Sequence, residues 1–131
     1  MSDDFDFECL DAERRFALFN LSGAIALHEG VARVAKVIAA ATARGYHGLV
    51  VDIRGIAGFE PPGVGARHEM VRTWAAVAGP RLRLVMVTRP EFIDPERFAM
   101  VAARNFGLVA NVFETRAEAL YWLRSESLLD P

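Results

Sequence analysis

Two charged residues stand where a strand pattern gives way to a loop, and they are the first candidates for chemistry. Asp52 and Arg54 lie two positions apart at the end of an apolar run. Residues at this spacing in a strand point to the same face, so the two side chains can meet each other or a ligand at the edge of a sheet. A structural role, in which Asp52 caps the loop or pairs with Arg54, is the competing interpretation.

A small anion site is one function that these residues could share with the helix that follows. Arg67 lies near the start of this helical pattern, where Gly63 and Gly65 leave backbone N–H groups accessible. Free N–H groups at a helix start attract anions, so they could act together with Arg54 and Arg67. The segment Gly63-Val64-Gly65 lacks the final glycine of a dinucleotide fingerprint and the lysine of a phosphate loop, so the sequence predicts no cofactor.

The remaining reactive side chains do not form a catalytic or metal-binding pattern. His68 lies beside Arg67 in the first turns of the same helix, where it could act as an acid or base or simply be a solvated helix residue. The three histidines belong to separate elements and no pair has ligand spacing, so we expect no metal. No Gly-x-Ser-x-Gly motif is present either. The sequence therefore predicts a protein that is not an enzyme.

Two aromatic residues lie in loops that should meet at one edge of the sheet. Phe59 precedes the prolines of the first loop, and Phe92-Ile93 follows the next strand. Loop apolar residues can line a groove or an interface, so a pocket between the second and third helices, lined by Phe59, Phe92, Ile93 and Arg54, could hold a small apolar or anionic ligand. Alternatively, Phe92 and Ile93 only staple the following helix.

The element that must position these residues is the stretch GLVVDIR, residues 48–54. It is a short apolar run bounded by turn residues and lying between two helical patterns, which is typical of a buried strand in a sheet covered on both faces. The loop GIAGFEPPGVG then lies at the carboxyl edge of the sheet, where open α/β folds usually place their sites. We expect this strand to be the centre of the fold.

Periodicity along the rest of the chain predicts the order ββαβαβαβα. The first two strands read as a hairpin with one wet face, and the alternation of strands with helices predicts a mixed, mostly parallel sheet of the α/β class with helices packed on it. Gly45 should end the first helix, Asp94 should cap the third, and Thr115 with Glu118 should open the last as a capping box. Phe98, Val101, Ala102 and Phe106 supply a short apolar face of the third helix, and its aromatic residues Phe98 and Phe106 should mostly fill the core.

Length and composition predict one domain over residues 1–131, with a net charge of −2. The basic residues do not cluster into a stripe with aromatics, which disfavours nucleic-acid binding. No apolar run reaches the length of about 20 residues that a membrane span requires, and a single cysteine fits the cytoplasm. The hairpin leaves a sheet edge, so a homodimer is a further prediction.

At the level of the whole chain, the sequence resembles the STAS superfamily, and within it the bacterial anti-sigma-factor-antagonist-like (SpoIIAA-like) proteins. The resemblance covers about residues 14–124 and rests on the order of the Ser22-Gly23 step, a long amphipathic helix, LVVDIR, LRLVMVT and VFETRAEALYWL. It implies a small cytosolic regulatory or protein-binding domain, related by fold to lipid-transfer domains of the CRAL-TRIO type. It does not imply an enzyme.

The sequence departs from this family in the loop after the central strand. The resemblance implies a phosphorylatable Ser or Thr there, yet none occurs between Ala43 and Arg72, and the matching stretch begins Phe59-Glu60-Pro61. One carboxylate at Glu60 is a poor substitute for a phosphate dianion. We therefore expect an unknown protein partner, bound by the loop 56–65 and the second helix, without the phosphorylation switch.

Overall fold

The computed structural model describes residues 5–13 and 15–127. The strands within them are β1 Glu8–Cys9, β2 Phe16–Asn20, β3 Gly23–Ala24, β4 Gly48–Asp52, β5 Ile56–Ala57, β6 Arg83–Val87 and β7 Ala110–Phe113. The helices are α1 Leu27–Ala43, α2 Val64–Val77, α3 Phe98–Asn105 and α4 Arg116–Ser127, and a 3-10 turn spans Pro90–Phe92.

The main sheet has the strand order β1-β2-β4-β6-β7, so β4 is its middle strand, as predicted. β1 pairs with β2 in the antiparallel direction, and the other neighbours pair in parallel. Apart from the very short strands β3 and β5, the elements follow the predicted order ββαβαβαβα. The predicted α/β fold class, with a mixed and mostly parallel sheet, is confirmed.

The sheet separates the core into two layers, and β4 shows how. Leu49 and Val51 join the cluster that includes buried residues of α1, α2 and α3, whereas Val50 joins the cluster around Leu123 of α4. Successive strand residues point to opposite faces, so three helices cover one face and α4 covers the other. At Gly48 an added Cβ would lie 2.8 Å from Leu123, so α4 packs closely on this strand.

The prediction that the first hairpin has one wet face is wrong for β2. Phe16, Ala17 and Leu18 are all buried. Phe16 and Leu18 pack in the α4 cluster and Ala17 packs on the opposite side of the sheet. The strand is covered on both faces because α4, which is far away in the sequence, folds back over it.

Two of the three predicted helix ends are confirmed. Gly45 has a φ of +83°, and the next N–H, of Tyr46, donates to the Ala41 carbonyl at 3.1 Å, which closes α1. Thr115 Oγ1 accepts a hydrogen bond from the Glu118 N–H at 3.1 Å at the start of α4. Both signals are local, and no distant contact is needed to satisfy them.

The predicted start of the third helix at Asp94 is wrong. The helix begins at Phe98, and Arg97 before it adopts the left-handed conformation with a φ of 54°. The Asp94 carboxylate accepts hydrogen bonds from the N–H groups of Glu96 and Phe98 at 3.1 and 3.0 Å. Asp94 therefore stabilises a turn ahead of the helix and accepts the N–H of its first residue, but the N-terminal cap position is Arg97.

The expectation that Phe98 and Phe106 fill the core is also wrong. Phe98 and Val101 are 53% and 58% exposed, and Phe106 just beyond the helix is 39% exposed. The helix instead buries the small side chain of Ala103 against the core. A short helix that packs through alanine leaves its large apolar residues on the surface.

A two-strand ladder of β3 and β5 fixes the loop that follows β4. The N–H groups of Gly23 and Ile25 donate to the carbonyls of Gly55 and Ala57 at 3.1 and 2.8 Å. Gly58 next to it has a φ of +115°, and an added Cβ would lie 2.7 Å from the Ile25 carbonyl oxygen. The loop is therefore anchored to the segment between β2 and α1 before it reaches the prolines.

Candidate functional site

Asp52 is the centre of a compact ion cluster at the carboxyl end of β4. Its side chain is 2% exposed, and its Oδ1 accepts hydrogen bonds from the backbone N–H and the Nε of Arg54 at 3.1 and 3.0 Å. Its Oδ2 accepts from Arg54 Nη2 and from Arg116 Nε, both at 2.7 Å. Burial raises the pKa of this carboxyl, but the hydrogen bonds from Arg54 and Arg116 outweigh burial and lower the pKa from 3.8 to about 2.

This cluster lies on the face of the sheet that α4 covers. Asp52 follows Val50 by two positions in β4, so both side chains point to the same face of the sheet, where Val50 packs against α4. Arg116 is the first residue of that helix. The predicted pairing of Asp52 with Arg54 is therefore present, with a second arginine that the sequence did not reveal. Arg116 is 64 positions from Asp52, so only the parallel sheet, which brings the ends of β4 and β7 to one edge, could have pointed to it.

Arg67 belongs to the opposite face. Its Nε donates to the Pro62 carbonyl oxygen at 2.8 Å, and its side chain lines a cavity bounded by α1, α2 and α3. Arg54 is held by Asp52 on the α4 side. The structure thus does not bring Arg54 and Arg67 together, and the anion site that would combine them with Gly63 and Gly65 is not formed.

The cavity has a volume of about 90 Å³ and is almost entirely apolar. It lies between the carboxyl half of the sheet and the three helices on that face. Among the residues of its wall are the aromatic side chains predicted for a pocket, three methionines, and one buried hydroxyl: Phe59, Phe92, Met70, Met86, Met100 and Thr88. Ile93 and Arg54, which the sequence hypothesis also placed there, are outside the lining.

Phe59 and Phe92, the two aromatic residues predicted for a pocket, are partly exposed and contact each other at one side of the cavity. The rings of Phe59 and Phe92 make an edge-to-face contact with a centroid distance of 5.8 Å. Arg89 places its guanidinium 5.0 Å from the centre of the Phe92 ring and donates to the Ile56 carbonyl oxygen at 3.1 Å. The loop after β4 and the turn after β6 are therefore fastened to each other over the cavity.

Thr88 is the polar group that sequence analysis missed. It follows β6 directly, is 4% exposed, and lies on the cavity wall. Its Oγ1 has no hydrogen-bond partner among the described residues. A threonine at the end of an apolar strand carries no sequence signal that distinguishes it from a residue filling the core.

The other predicted site residues are exposed around the start of α2. Gly63 is the N-terminal cap position, and neither Gly63 nor Gly65 has a neighbour within 4 Å of an added Cβ. Glu60 is exposed in the loop. His68 is exposed as well and contacts the ring of Phe106 at a centroid distance of 5.2 Å.

The α2–α3 face is the name used below for the exposed apolar residues Val64, Phe98, Val101 and Phe106. Val64 is 70% exposed and lines a shallow cleft together with Phe98. Val101 stands one helical turn from Phe98 on α3. The face and the cavity share both helices, since Arg67 and Met70 of α2 and Ala99 and Met100 of α3 line the cavity.

A metal site and a membrane-spanning helix are both absent from residues 5–13 and 15–127. These residues contain no group of three or more His, Cys, Asp or Glu side chains placed to hold a metal ion. None of the helices in this part of the chain combines the length and the hydropathy that crossing a membrane requires.

Fold and site together define an α/β domain with an ion cluster on one face of its sheet and an apolar cavity on the other. The chain is similar to the solved structure of the anti-sigma factor antagonist SpoIIAA in its unphosphorylated form. The sequences are 20% identical, the match covers 93% of this chain and 97% of the other, and the TM-score is 0.46. The match is a protein of the kind that the sequence resemblance names, and it assigns no partner and no regulation to this chain.

No protein-family model and no curated protein sequence matches the chain.

Proposed function

We propose that this chain is a noncatalytic binding domain that takes a small, largely apolar ligand in the cavity under α1, α2 and α3. The observation that carries the proposal is the cavity itself, an apolar space of about 90 Å³ whose wall includes Thr88, a buried residue with a hydroxyl that has no partner within residues 5–13 and 15–127. Protein interiors are packed nearly as densely as organic crystals, and voids larger than a water molecule are few. A space of this size is therefore a feature that a ligand can use.

The composition of the wall supports adaptable binding. Three of the chain's four methionines, Met70, Met86 and Met100, line the cavity. Methionine is unbranched and polarizable, and it adjusts to the shape of what it contacts. Leucine or isoleucine would fill the same space and would specify one packing arrangement more strongly than methionine does.

The chemistry of the polar residues supports a noncatalytic role. Asp52 is engaged by both of its arginines, and its lowered pKa leaves it a weak base at neutral pH. His68 is exposed and stacks edge-on against Phe106. Neither residue lines the cavity, where a ligand would meet mainly apolar side chains together with Thr88 and Arg67.

The test is NMR spectroscopy of the intact protein with ¹³C-labelled methionine methyl groups. On titration with cyclopentanol or on exposure to xenon, which enters dry apolar cavities, we expect the signals of Met70, Met86 and Met100 to shift. The Ala99→Leu variant places a larger side chain in the cavity and should abolish the shifts. Ala76→Leu, the same change at an exposed position of α2, should preserve them.

Absence of any methionine response to both probes would refute the ligand-binding function. Native mass spectrometry of protein purified under mild conditions supplies an independent measurement. An extra mass that Ala99→Leu removes and Ala76→Leu keeps would identify a bound molecule from the cell.

A second candidate function is protein interaction in the cytosol, as the sequence resemblance implies. The observation that favours it is the α2–α3 face, since large apolar side chains clustered on a surface often mark a binding site. Phe98→Ser combined with Val101→Ser should release protein partners captured from native cytosol. Tyr121→Ser on α4, whose side chain is 74% exposed, is the matched control and should keep them.

The predicted loop surface has its own test in the same capture experiment. Glu60→Arg and Arg67→Glu reverse charges beside the α2–α3 face. If both variants capture the same partners as wild type, these two residues are not part of the partner-binding surface. Sedimentation velocity of the charge-reversal variants and of the Phe98→Ser, Val101→Ser protein tests the predicted homodimer. If only the Phe98→Ser, Val101→Ser protein loses the dimer, the contact between the two copies lies on the α2–α3 face.

A further inference from the structure

We infer that the cavity selects a compact, uncharged ligand with a single hydrogen-bonding group, such as a small alcohol or ketone, and that Thr88 binds this group. The inference rests on the proposed ligand-binding function and specifies the ligand class. It follows from the position of one hydroxyl, the charges of the wall and the size of the space.

Thr88 lies on the cavity side of the sheet. Leu84 and Met86 of β6 pack in the cluster on the side of α1, α2 and α3, and Thr88 continues this alternation to the same face. Its backbone N–H donates to the Phe113 carbonyl at 3.0 Å, which fixes the residue beyond the strand end. The Oγ1 atom is buried and lacks a partner among the described residues.

A buried hydroxyl without a partner is unfavourable, and water is a poor remedy at this position. A buried water normally makes about three hydrogen bonds, and apolar cavities tend to stay dry. Here the wall around Thr88 is almost entirely apolar, so a water would find one side-chain hydroxyl and little else. A ligand that brings one polar group and otherwise apolar surface satisfies both parts of the site.

The charge of the wall disfavours an anionic ligand. Arg67 is the one charged residue of the described lining. Its Nε is engaged by the Pro62 carbonyl, and it shares a neighbouring cleft with the carboxylate of Asp94. A carboxylate bound beside Thr88 would therefore be buried without a dedicated cation, which is costly.

The volume sets an upper limit on the rigid part of the ligand. A cavity of about 150 Å³ accepts benzene, whereas this one measures about 90 Å³. A ring or branched chain of about five carbons fits with small movements of the methionine side chains. Larger molecules would have to displace Phe59 or Phe92, which are partly exposed at one side of the cavity.

The test compares three probes of similar size on the full chain: cyclopentanol, methylcyclopentane and cyclopentanecarboxylate. Affinities are read from the methionine methyl shifts in wild type, Thr88→Val, which keeps the shape and removes the hydroxyl, and Thr88→Ser, which keeps the hydroxyl. We expect the ratio of alcohol to hydrocarbon affinity to fall about three- to tenfold in Thr88→Val, as for the loss of one hydrogen bond, and to be largely kept in Thr88→Ser. The carboxylate should not bind at neutral pH.

The outcomes separate this inference from the proposed function. If cyclopentanol and methylcyclopentane both bind and their ratio is the same in all three proteins, the cavity binds ligands but Thr88 does not select them. Tighter binding of the carboxylate than of the alcohol would refute the uncharged class. A ligand-free readout is also available, since Thr88→Val should raise the melting temperature, and a lower one would show that the hydroxyl already has a partner.

Discussion

Replacing Asp52 with asparagine tests whether the ion cluster stabilises the fold. In the wild-type protein the carboxylate accepts hydrogen bonds from Arg54 and Arg116, and its pKa falls from 3.8 to about 2. At about 1.4 kcal/mol per pKa unit, this difference corresponds to about 2 kcal/mol of folding free energy at neutral pH. We expect Asp52→Asn to lose this amount in urea unfolding at pH 7.

The pH dependence of the loss follows from the direction of the pKa change. Because the carboxyl is more acidic in the folded protein, its stabilising contribution is fully present above the unfolded pKa of 3.8 and is lost as pH falls through about 2. The difference in unfolding free energy between wild type and Asp52→Asn should therefore be constant from pH 7 to 5 and shrink towards pH 2. Asp11 and Asp94 also have lowered pKa values, but they are common to both proteins and cancel in the difference.

The control is Glu69→Gln, which removes an exposed carboxylate on α2 whose nearest cation, Arg72, is 3.9 Å away. Surface ion pairs of this kind contribute about 0–1 kcal/mol, so this variant should behave like wild type across the pH range. The guanidinium groups of Arg54 and Arg116 are about half exposed, and high salt should therefore reduce the Asp52 effect in part. A loss below about 0.5 kcal/mol with an unchanged pH profile would refute the stabilising role.

Three further substitutions probe the elements around the cavity by urea unfolding. Gly58→Ala should cost more than about 1 kcal/mol, because the residue has a φ of +115° and an added Cβ would lie 2.7 Å from the Ile25 carbonyl oxygen; an unchanged stability would mean that the loop can move away. Gly65→Ala should instead stabilise by about 0.5–1 kcal/mol, because this helical position has open space around it, and a loss there would contradict the geometry. Trp74→Phe should cost about 1–3 kcal/mol, because the indole N–H donates to the Val31 carbonyl oxygen at 3.0 Å and joins α2 to α1, and a neutral result would show that water replaces the bond.

The fold could be predicted because its signals are local. The apolar run of residues 48–52, the glycine that ends α1 and the capping threonine before α4 each act through the chain next to them. The order of strands and helices then restricts the topology to a mostly parallel sheet. These local signals do not reveal that β2 is buried on both faces, because the helix that covers its second face, α4, lies at the far end of the chain.

The site could be predicted only in pieces, because a strand sends adjacent residues to opposite faces. Asp52 and Arg54 were correctly paired, and Phe59 was correctly placed near Phe92. The assignment of Asp52 and Arg54 to one surface with Arg67 failed, since the sheet lies between the two groups of contacts, whereas Phe59 and Phe92 do line the cavity with Arg67. Arg116 and Thr88 both stand in stretches that the sequence singles out, VFETRAEALYWL and LRLVMVT, but their roles were missed because they depend on strand alternation and on distant neighbours.

Each face of the sheet carries one of the chain's two tryptophans. Trp74 forms part of the cavity wall, whereas Trp122 packs against Phe113 in the cluster under α4. Indole emission changes with the polarity and packing of its surroundings. A protein in which one tryptophan is replaced by phenylalanine would therefore report optically on a single face, and the pair would reveal whether events in the cavity are transmitted through the sheet.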